Sequence, residues 1–380
     1  MPINNMIHNF YKILSYTIIS VALCAGFAAC GGDDDEPPIK PETPEVPDDS
    51  GNDDDNDKPE VLLPFAKGAD VSWLTQIEQE GYKFYNEAGT ASDALAILRD
   101  ECGINSIRLR VWVNPEDGWN DLGDLLIKAR RAHALGMRLM VDFHLSDTWA
   151  DPSNQAVPTD WKSLKPGEEL ANAVRDHVTE VLTKLKENGI TPEWVQVGNE
   201  TSGGMLWESG RVQGSRVGEF VRYFNAGAEA VKKIAPEARV IMHLNNGHDR
   251  DLFVWFFNLM KANGAKYDMI GMSLYPENES GSGASWQVSV DNSMVTSCIN
   301  NITYLSELYG KPVIISEIGF HHSNGEAGKK VIDKLLEDKS CKHLTGVFYW
   351  EPEAPEGFNN YHKGAFENGR PNEAIKAFRN

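Results

Sequence analysis

Cysteine is scarce in this chain, with five residues among 380. That number is too small for a disulfide framework at this length, so the fold must depend on a hydrophobic core, which 41% hydrophobic residues can supply. Cys24 and Cys30 lie near the N-terminus, which leaves Cys102, Cys298 and Cys341 for the rest of the chain. In an oxidising compartment these three allow one pair, for which we favour Cys298 with Cys341; buried thiols are the alternative.

Basic residues are also in short supply, because 36 Lys and Arg stand against 56 Asp and Glu, for a formal net charge of −20. No basic stripe interrupts this excess of acid. Binding to a phosphate backbone depends on clustered Lys and Arg, so we expect no nucleic-acid partner. Much of the acid is concentrated in residues 31–60, with 13 Asp and Glu and 2 Lys, and residues 61–380 carry only −10.

An apolar run near the N-terminus, from Leu14 to Ala29, is short for a stable membrane span. Lys12 precedes this run and small residues precede Cys30, which is the pattern of an export signal. The segment Phe27-Ala28-Ala29-Cys30 resembles a bacterial lipobox, in which the cysteine is lipidated, although leucine is usual at the position of Phe27. A plain secretory signal with an incidental cysteine is the alternative.

Residues 31–60 are rich in Pro and Asp and contain almost nothing apolar. Their first part, Gly31–Glu36, resembles the acidic export tag of Bacteroidetes surface lipoproteins. Such a composition cannot offset the entropy cost of folding, so we expect an extended, self-repelling tether. The sequence therefore predicts a lipoprotein signal peptide over 1–30, a tether over 31–60 and one folded domain over 61–380. The lipid on Cys30 would anchor the protein to the outer membrane, exposed at the cell surface.

From Gly68 onward, short apolar runs alternate with longer segments of helical period, which is typical of parallel βαβ units. The eight candidate strands are Gly68–Ser72, Ser106–Trp112, Arg138–His144, Trp194–Asn199, Arg239–Leu244, Met269–Leu274, Pro312–Ser316 and Gly346–Trp350. Eight units in this length predict an α/β fold, a single (β/α)₈ TIM barrel. A doubly wound open sheet is the alternative, disfavoured because no Gly-rich phosphate fingerprint follows the first strand.

The C-terminal ends of the barrel strands are where the chemistry of this fold lies. Glu200 ends the fourth candidate strand and Glu317 follows the seventh, so the two carboxylates lie on opposite sides of the mouth. Retaining glycoside hydrolysis needs such a pair, an acid/base and a nucleophile about 5–5.5 Å apart. Either Glu alone would more simply be an N-cap or a solvated loop end. Together they predict a catalytic pair.

Neighbouring side chains separate the roles of the two carboxylates. Asn199, next to the acid, can hydrogen-bond the 2-hydroxyl of a sugar. Arg110 from the second strand and Tyr275 after the sixth are the expected partners that keep Glu317 ionised. Arg108 lies on the same face as Arg110, which we prefer because it is nearer the C-terminal end; a rim ion pair is the alternative for Arg110.

Substrate contacts are expected from the ends of the third and eighth strands. The third strand and the segment after it supply Asp142, His144, Asp147 and Trp149, with a satisfied histidine at the barrel rim as the alternative for His144. Trp350 at the end of the eighth strand can stack on a pyranose ring, with core packing as the alternative. Glu351 is a rival for the nucleophile, ranked second because the eighth strand does not oppose the fourth.

Metal and cofactor chemistry is not indicated. His321-His322 and the Asp and His residues of the third strand lack the spacing of a zinc motif such as H-E-x-x-H. The nucleophile elbow G-x-S-x-G is also absent where a strand, turn and helix would need it. We therefore expect neither a metal ion nor a cofactor.

These residues resemble the clan of retaining (β/α)₈ glycoside hydrolases that place Asn-Glu after strand four and a nucleophile Glu after strand seven. Within that clan, the chain resembles glycoside hydrolase family 53, the endo-β-1,4-galactanases, across essentially all of residues 61–380. The segments that carry the resemblance are Gly68–Ser72 (GADVS), Arg108–Pro115 (RLRVWVNP), Asp142–Pro152 (DFHLSDTWADP), Val197–Glu200 (VGNE), Leu274–Pro276 and Phe348–Pro352 (FYWEP). The string DTWADP is specific to the family, whereas Asn-Glu and Ser-Glu alone would indicate only the clan.

The resemblance implies that Glu200 is the acid/base and Glu317 the nucleophile of a double displacement. It also implies a neutral substrate, the β-1,4-linked galactan of arabinogalactan and pectin, cleaved at internal bonds, and we expect the protein to be a monomer. One departure concerns a calcium loop that some bacterial members carry after strand seven. Here Phe320–Glu326 contains one acidic residue, whereas calcium needs several oxygen ligands, so we expect no such site.

Two other functions stay open. Another enzyme of the same clan, acting on mannan, xylan or glucan, would keep both carboxylates and differ only in the surrounding subsites. A surface lipoprotein that binds glycans without cleaving them is the second alternative, although a binder has no need of two facing acids. A Glu317→Gln variant separates these classes, because only an enzyme would lose turnover.

Overall fold

The structure, a computed structural model, describes residues 64–281, 287–337 and 343–380. The predicted signal peptide, the tether and Cys30 lie outside these residues, and so does Cys341 of the expected disulfide. The folded unit spans Leu62–Asn380. No helix among the described residues is long and apolar enough to cross a membrane.

Eight parallel strands close into a barrel, which confirms the predicted (β/α)₈ fold. The strands are β1 Ala66–Asp70, β2 Ser106–Val111, β3 Arg138–Phe143, β4 Trp194–Val197, β5 Arg239–Leu244, β6 Met269–Leu274, β7 Val313–Ile318 and β8 Leu344–Trp350. Each strand pairs with its neighbours in chain order, and β8 pairs with β1 to close the barrel. At this closure Asp70 lies opposite Trp350.

Helices follow the strands along the chain. They are α1 Leu74–Gln79, α2 Ala94–Cys102, α3 Leu122–Ala134, α4 Glu168–Glu187, α5 Val217–Ile234, α6 Arg250–Ala262, α7 Asn292–Tyr309, α8 Gly325–Glu337 and α9 Glu373–Lys376. The ends of α2 show how the sequence sets their limits. The carboxylate of Asp93 accepts the backbone N–H of Leu95 at 2.7 Å, and Gly103 ends the helix with φ 73°, a left-handed conformation that favours glycine.

Two separate apolar clusters hold the barrel together. The larger one lies between the strands and the surrounding helices. The smaller one, the floor, fills the barrel itself with Ala66, Met140, Trp194, Ile241, Met269, Ile314 and Phe348. Gly68 in β1 makes room for this floor, because a Cβ atom there would lie 2.1 Å from the ring of Phe348. Polar side chains fill the opposite end of the barrel, toward the C-terminal ends of the strands. The buried charged groups therefore lie at this C-terminal mouth.

The predicted bounds of several strands need correction; β1, for example, runs over Ala66–Asp70 instead of Gly68–Ser72, and two of the differences concern site residues. The seventh was expected over Pro312–Ser316 and runs over Val313–Ile318, so Glu317 lies inside the strand rather than after it. The fourth was expected to reach Asn199 and ends at Val197. Gly198, with φ 82°, and Glu200, with φ 46°, both adopt left-handed conformations that cannot continue a strand.

Two elements near the mouth were not predicted. The first is α1, which has only six residues and follows β1 closely. The second is an antiparallel ribbon of Glu277–Ser280 with Gln287–Val290. The strand Glu277–Ser280 contains no apolar residue, and the alternation of Gln287–Val290 spans only four residues, so the pattern was too short to stand out.

Candidate active site

A cavity of about 330 Å³ opens at the C-terminal mouth of the barrel. It is lined by Trp73, His144, Trp149, Ala150, Asp151, Asn199, Glu200, Tyr275, Glu317, Trp350, Asn359, Asn360 and Tyr361. Both predicted catalytic carboxylates therefore face the same space, Glu200 from beyond the end of β4 and Glu317 from β7.

Glu200 is held by one strong hydrogen bond. Ser273 Oγ donates to Glu200 Oε1 at 2.6 Å. Burial, and next the charge of Glu317, raise the pKa of Glu200 to about 8. Glu200 therefore keeps its proton at neutral pH, as a general acid must.

Glu317 has a different environment. Arg108 Nη2 lies 2.9 Å from its Oε1, and Tyr275 Oη donates to its Oε2 at 2.8 Å, as expected for Tyr275. Burial raises the pKa of Glu317, while the charge of Arg108 and the hydrogen bond from Tyr275 oppose that rise. Because the ion pair is made to Glu317 and not to Glu200, Glu317 ionises first of the two.

The expected assignment of Arg110 as the partner of Glu317 is wrong, and Arg108 takes that place. The Arg108 guanidinium is buried and also reaches Asp70 Oδ2 at 2.7 Å and Asp142 Oδ2 at 2.8 Å. It is thus shared by three carboxylates. Asp70 lies opposite Arg108 in the β1–β2 register, and the long side chain extends from there to β7.

Arg110 instead forms a buried ion pair with Glu351. Asp70 is paired in register with both Arg108 and Trp350, so the residues just beyond them, Arg110 and Glu351, meet across the end of β1. The Arg110 guanidinium carbon also lies 4.5 Å from the ring centroid of Trp149. Arg110 and Glu351 do not line the cavity. Arg110 therefore packs against the Trp149 ring and does not contact the nucleophile, and Glu351 is buried away from the cavity.

Asp142 and His144 form a connected pair beneath the cavity. Asp142 is fully buried and accepts hydrogen bonds from Arg108 and, at 2.6 Å, from Gln196 Nε2. Burial opposes its charge, but Arg108 and His144 outweigh burial and lower the pKa of Asp142. Asp142 is therefore not placed for the predicted substrate contact. His144 lines the cavity, with Nε2 3.1 Å from Asp142 Oδ2 and Nδ1 accepting the N–H of Ala150 at 3.1 Å.

Two other predicted contacts are engaged within the protein. The carboxylate of Asp147 accepts the backbone N–H of Asn114 at 3.1 Å and of Thr159 at 2.7 Å, which joins two loops outside the catalytic cavity. Asn199 faces the cavity, where its Nδ2 donates to the carbonyl of Ala150 at 2.8 Å. One Asn199 N–H thus remains for a sugar hydroxyl.

Aromatic rings form one wall of the cavity. Trp149 and Trp350, both predicted, lie 5.9 Å apart by ring centroid. Trp73 joins them, 5.6 Å from Trp149 and 5.3 Å from Trp350, and Tyr361 lies 4.8 Å from Trp350. Trp73 and Tyr361 were not predicted. The rule of strand ends could have found Trp73, which closely follows β1, but Tyr361 lies in a loop with no such signal.

His243 in β5 and Ser273 in β6 were also missed. Both strands were predicted with their observed bounds, yet these polar residues inside apolar strands were not singled out. Ser273 bonds the acid Glu200, and His243 Nε2 lies 2.9 Å from Ser273 Oγ. Two polar residues at the penultimate positions of adjacent strands were the available signal.

A second depression, of about 670 Å³, continues the cavity along the mouth. The two share Trp73, Trp149, Asn359 and Asn360 in their linings. Trp112, Trp119 and Asn114 extend the second depression. Together they form an open cleft with tryptophan along its length.

Among the residues that the structure describes, there is no group of three or more His, Cys, Asp or Glu side chains suited to a metal ion. In the segment after β7, His321 Nδ1 lies 2.8 Å from Ser323 Oγ, and His322 Nε2 lies 3.2 Å from Glu356 Oε1.

Comparisons with known proteins place this geometry in context. Residues 66–339 match the family model described as Glycosyl hydrolase family 53. Arabinogalactan endo-β-1,4-galactanase A of Aspergillus niger is 34% identical over 302 residues, which cover 75% of this chain and 84% of the relative. A solved fungal β-1,4-galactanase is similar with TM-score 0.73 and 25% identity, covering 83% of this chain and 99% of that one. The solved structure of the family 53 catalytic domain of Ignisphaera aggregans is similar with TM-score 0.72 and 28% identity, covering 84% of this chain and 97% of that one.

Proposed function

Since the chain belongs to glycosyl hydrolase family 53, we propose that it is a retaining endo-β-1,4-galactanase that cleaves internal bonds of galactan and arabinogalactan. The observation that carries this proposal is the pair of carboxylates in one cavity with unlike surroundings. Glu317 has an arginine and a tyrosine hydroxyl as partners, whereas Glu200 has a serine hydroxyl and a raised pKa. The names of the relatives from Aspergillus support galactan as the substrate.

In the first step, the ionised Glu317 attacks the anomeric carbon and its oxygen forms the glycosyl ester. Glu200 gives its proton to the glycosidic oxygen, so the leaving sugar departs as a neutral alcohol. Arg108 and Tyr275 hold the two oxygens of Glu317 and so orient the nucleophile. His144 and the tryptophan wall are placed to bind the sugar ring.

In the second step, Glu200 acts as the base that takes a proton from water, and the water attacks the anomeric carbon to release Glu317. The structure gives a reason for this change of role. Part of the raised pKa of Glu200 comes from the charge of Glu317, and that charge vanishes in the ester. The pKa of Glu200 therefore falls just when the reaction needs a base.

The open cleft supports action on a polymer at internal bonds. The catalytic cavity adjoins the second depression, because the two share Trp73, Trp149, Asn359 and Asn360 in their linings. Indole faces along the cleft offer stacking surfaces for successive pyranose rings. A neutral galactan is also compatible with a chain of net charge −20, which would repel an anionic pectin backbone.

The experiment that tests the function is the release of reducing ends from purified galactan, with mannan, xylan and mixed-linkage glucan alongside. Glu200→Ala is the blank. We expect activity on galactan alone, lost in the variant, and retention of the β-anomer in the first product seen by proton NMR. Activity on another polymer would overturn the specificity, and binding of galactan without turnover would favour a glycan-binding lipoprotein.

We further propose that Cys30 carries a lipid that anchors the protein to the outer membrane, with the barrel exposed at the cell surface as a monomer. The lipobox-like segment and the acidic residues after it support this. A Cys30→Ala variant should lose incorporation of labelled palmitate and leave the membrane fraction. Protease added to intact cells should remove the barrel, and light scattering should give the mass of one chain.

A further inference from the structure

Hydrogen bonds around Glu200 form a closed ring that begins and ends on that residue. The backbone N–H of Glu200 points to His243 Nδ1 at 3.3 Å. His243 Nε2 lies 2.9 Å from Ser273 Oγ, and Ser273 Oγ donates to Glu200 Oε1 at 2.6 Å. His243 is fully buried and Ser273 nearly so.

The direction of each bond in this ring follows from counting protons. A neutral imidazole has one N–H, and burial with the nearby charge of Arg108 lowers the pKa of His243 well below its ordinary value. In the tautomer in which Nδ1 accepts the backbone N–H of Glu200, the imidazole proton lies on Nε2. Nε2–H then donates to Ser273 Oγ, which turns the serine hydroxyl proton toward Glu200.

Asn199 Oδ1 lies 3.0 Å from His243 Nδ1 and would accept its proton in the opposite tautomer. That oxygen already accepts Arg108 Nη2 and Gln196 Nε2, each at 3.0 Å. Two donors satisfy its two lone pairs. Only the backbone N–H of Glu200 would lose its acceptor if Nδ1 were protonated.

We propose that His243 carries its proton on Nε2, and that His243 and Ser273 are positioning residues that decide which oxygen of Glu200 carries the catalytic proton. The serine hydroxyl, fixed by His243, always donates to Oε1. The acidic proton is therefore confined to Oε2, the oxygen left for the glycosidic oxygen in the cavity. This inference rests on the proposed function, because it assigns the ring a role in proton transfer by Glu200.

As a consequence, the same oxygen of Glu200, Oε2, donates the proton in the first step and accepts it in the second. With Oε1 occupied, Glu200 does not distribute its proton between two oxygens, and only one of its two protonated forms is populated. The charged and titratable groups around Glu200 are Glu317 from β7, Asp151 and His144 after β3, Arg108 from β2 and Tyr275 after β6. None of these groups forms a hydrogen bond with Glu200 Oε1. Among the described residues, Ser273 is the side chain that occupies this oxygen.

Ser273→Ala tests the proposal with two substrates that differ in their need for an acid. Galactan has a poor leaving group and needs protonation, whereas a dinitrophenyl β-galactobioside does not. We expect kcat/KM for galactan to fall about tenfold or more and that for the activated substrate to change less than about threefold. An equal loss on both would mean a merely structural role and overturn the proposal.

The pH profile gives a second readout. The bond from Ser273 lowers the pKa of Glu200, so its removal raises that pKa further. The alkaline limb of kcat/KM, which reports loss of the proton from Glu200, should therefore move to higher pH in Ser273→Ala. An unchanged limb, or one moved to lower pH, would contradict the ring. Ser273→Thr keeps the hydroxyl and should keep the wild-type limb.

Two variants of His243 distinguish the loss of its hydrogen bond to Ser273 from a change in packing. Gln in His243→Gln can place an amide N–H where Nε2 lies, whereas the shorter side chain in His243→Asn cannot reach Ser273. We expect His243→Gln to retain the galactan activity that His243→Asn loses, at similar melting temperatures. The reverse order would overturn the proposal.

Nitrogen NMR of histidine-labelled protein tests the ring without any substrate. We expect a neutral His243 with the proton on Nε2, assigned by loss of its signals in His243→Gln. A proton on Nδ1 would overturn the proposal even if galactan is cleaved. Conversely, the expected tautomer in a protein without galactanase activity would leave the ring in place and overturn the proposed function.

Discussion

Arg108→Met provides the sharpest test of how the nucleophile is kept ionised. Arg108 Nη2 lies 2.9 Å from Glu317 Oε1, and both groups are buried. Opposite charges about 4 Å apart interact by about 4 kcal/mol at an effective dielectric constant of about 20, which corresponds to about three pKa units. Asp70 and Asp142 also lose their ion pairs with Arg108, so the perturbation is shared among three carboxylates and the net effect on Glu317 is smaller than this figure.

The acidic limb of kcat/KM measures this shift. Activity requires ionised Glu317, so the limb rises as Glu317 loses its proton. A higher pKa of Glu317 moves the limb to higher pH, and at a pH below both limbs each pH unit of displacement lowers kcat/KM about tenfold relative to the wild type. Arg108→Lys keeps one positive charge and should recover part of the shift.

Arg110→Met is the matched control, with the same substitution on the same strand. Arg110 pairs with Glu351 and does not contact Glu317, so its loss should leave the acidic limb in place. Both variants remove a buried cation and should cost roughly 3–5 kcal/mol in the free energy of unfolding, measured with urea. A limb that moves in Arg110→Met and not in Arg108→Met would refute the assignment.

Five further outcomes are expected. Glu351→Gln should destabilise the protein by roughly 3 kcal/mol in urea unfolding, because Arg110 loses its counter-charge. Glu353→Gln should cost less than about 1 kcal/mol, because burial and then the charge of Glu351 raise the pKa of Glu353 well above its ordinary value and it is already neutral. Wild-type kcat/KM on galactan should fall as pH rises through about 8, where Glu200 loses its proton, and Glu200→Gln should lower turnover about 10²–10⁴-fold. Removal of divalent cations with EDTA should leave both the melting temperature and the activity unchanged, since the segment after β7 offers one acidic side chain.

The barrel and its two carboxylates could be predicted from the sequence because both depend on local patterns. Apolar runs of strand length mark β3, β5 and β6, an alternation of apolar residues marks β2, and the rule of strand ends leads directly to Glu200 and Glu317. Tyr275 was also found in this way, since it follows β6. These features require only the order of residues along one strand and the position where it ends.

The partners of those carboxylates could not be predicted, because they depend on how strands meet. Spacing shows that Arg108 and Arg110 share a face, but not how far each long side chain extends along the barrel. The β1 register decides that Arg110 meets Glu351 and that Arg108 remains for Glu317. The bond between His243 and Ser273 likewise depends on β5 lying beside β6.

The tryptophans of the aromatic wall also provide an intrinsic fluorescence signal for sugar binding. Three of the ten tryptophans, Trp73, Trp149 and Trp350, line the catalytic cavity, and their rings lie within 6 Å of one another by centroid. A sugar stacked on an indole replaces water next to it, and indole emission responds to such a change of polarity. Intrinsic fluorescence of a Glu317→Gln variant can therefore follow occupancy of the cleft in real time, without a label and without turnover.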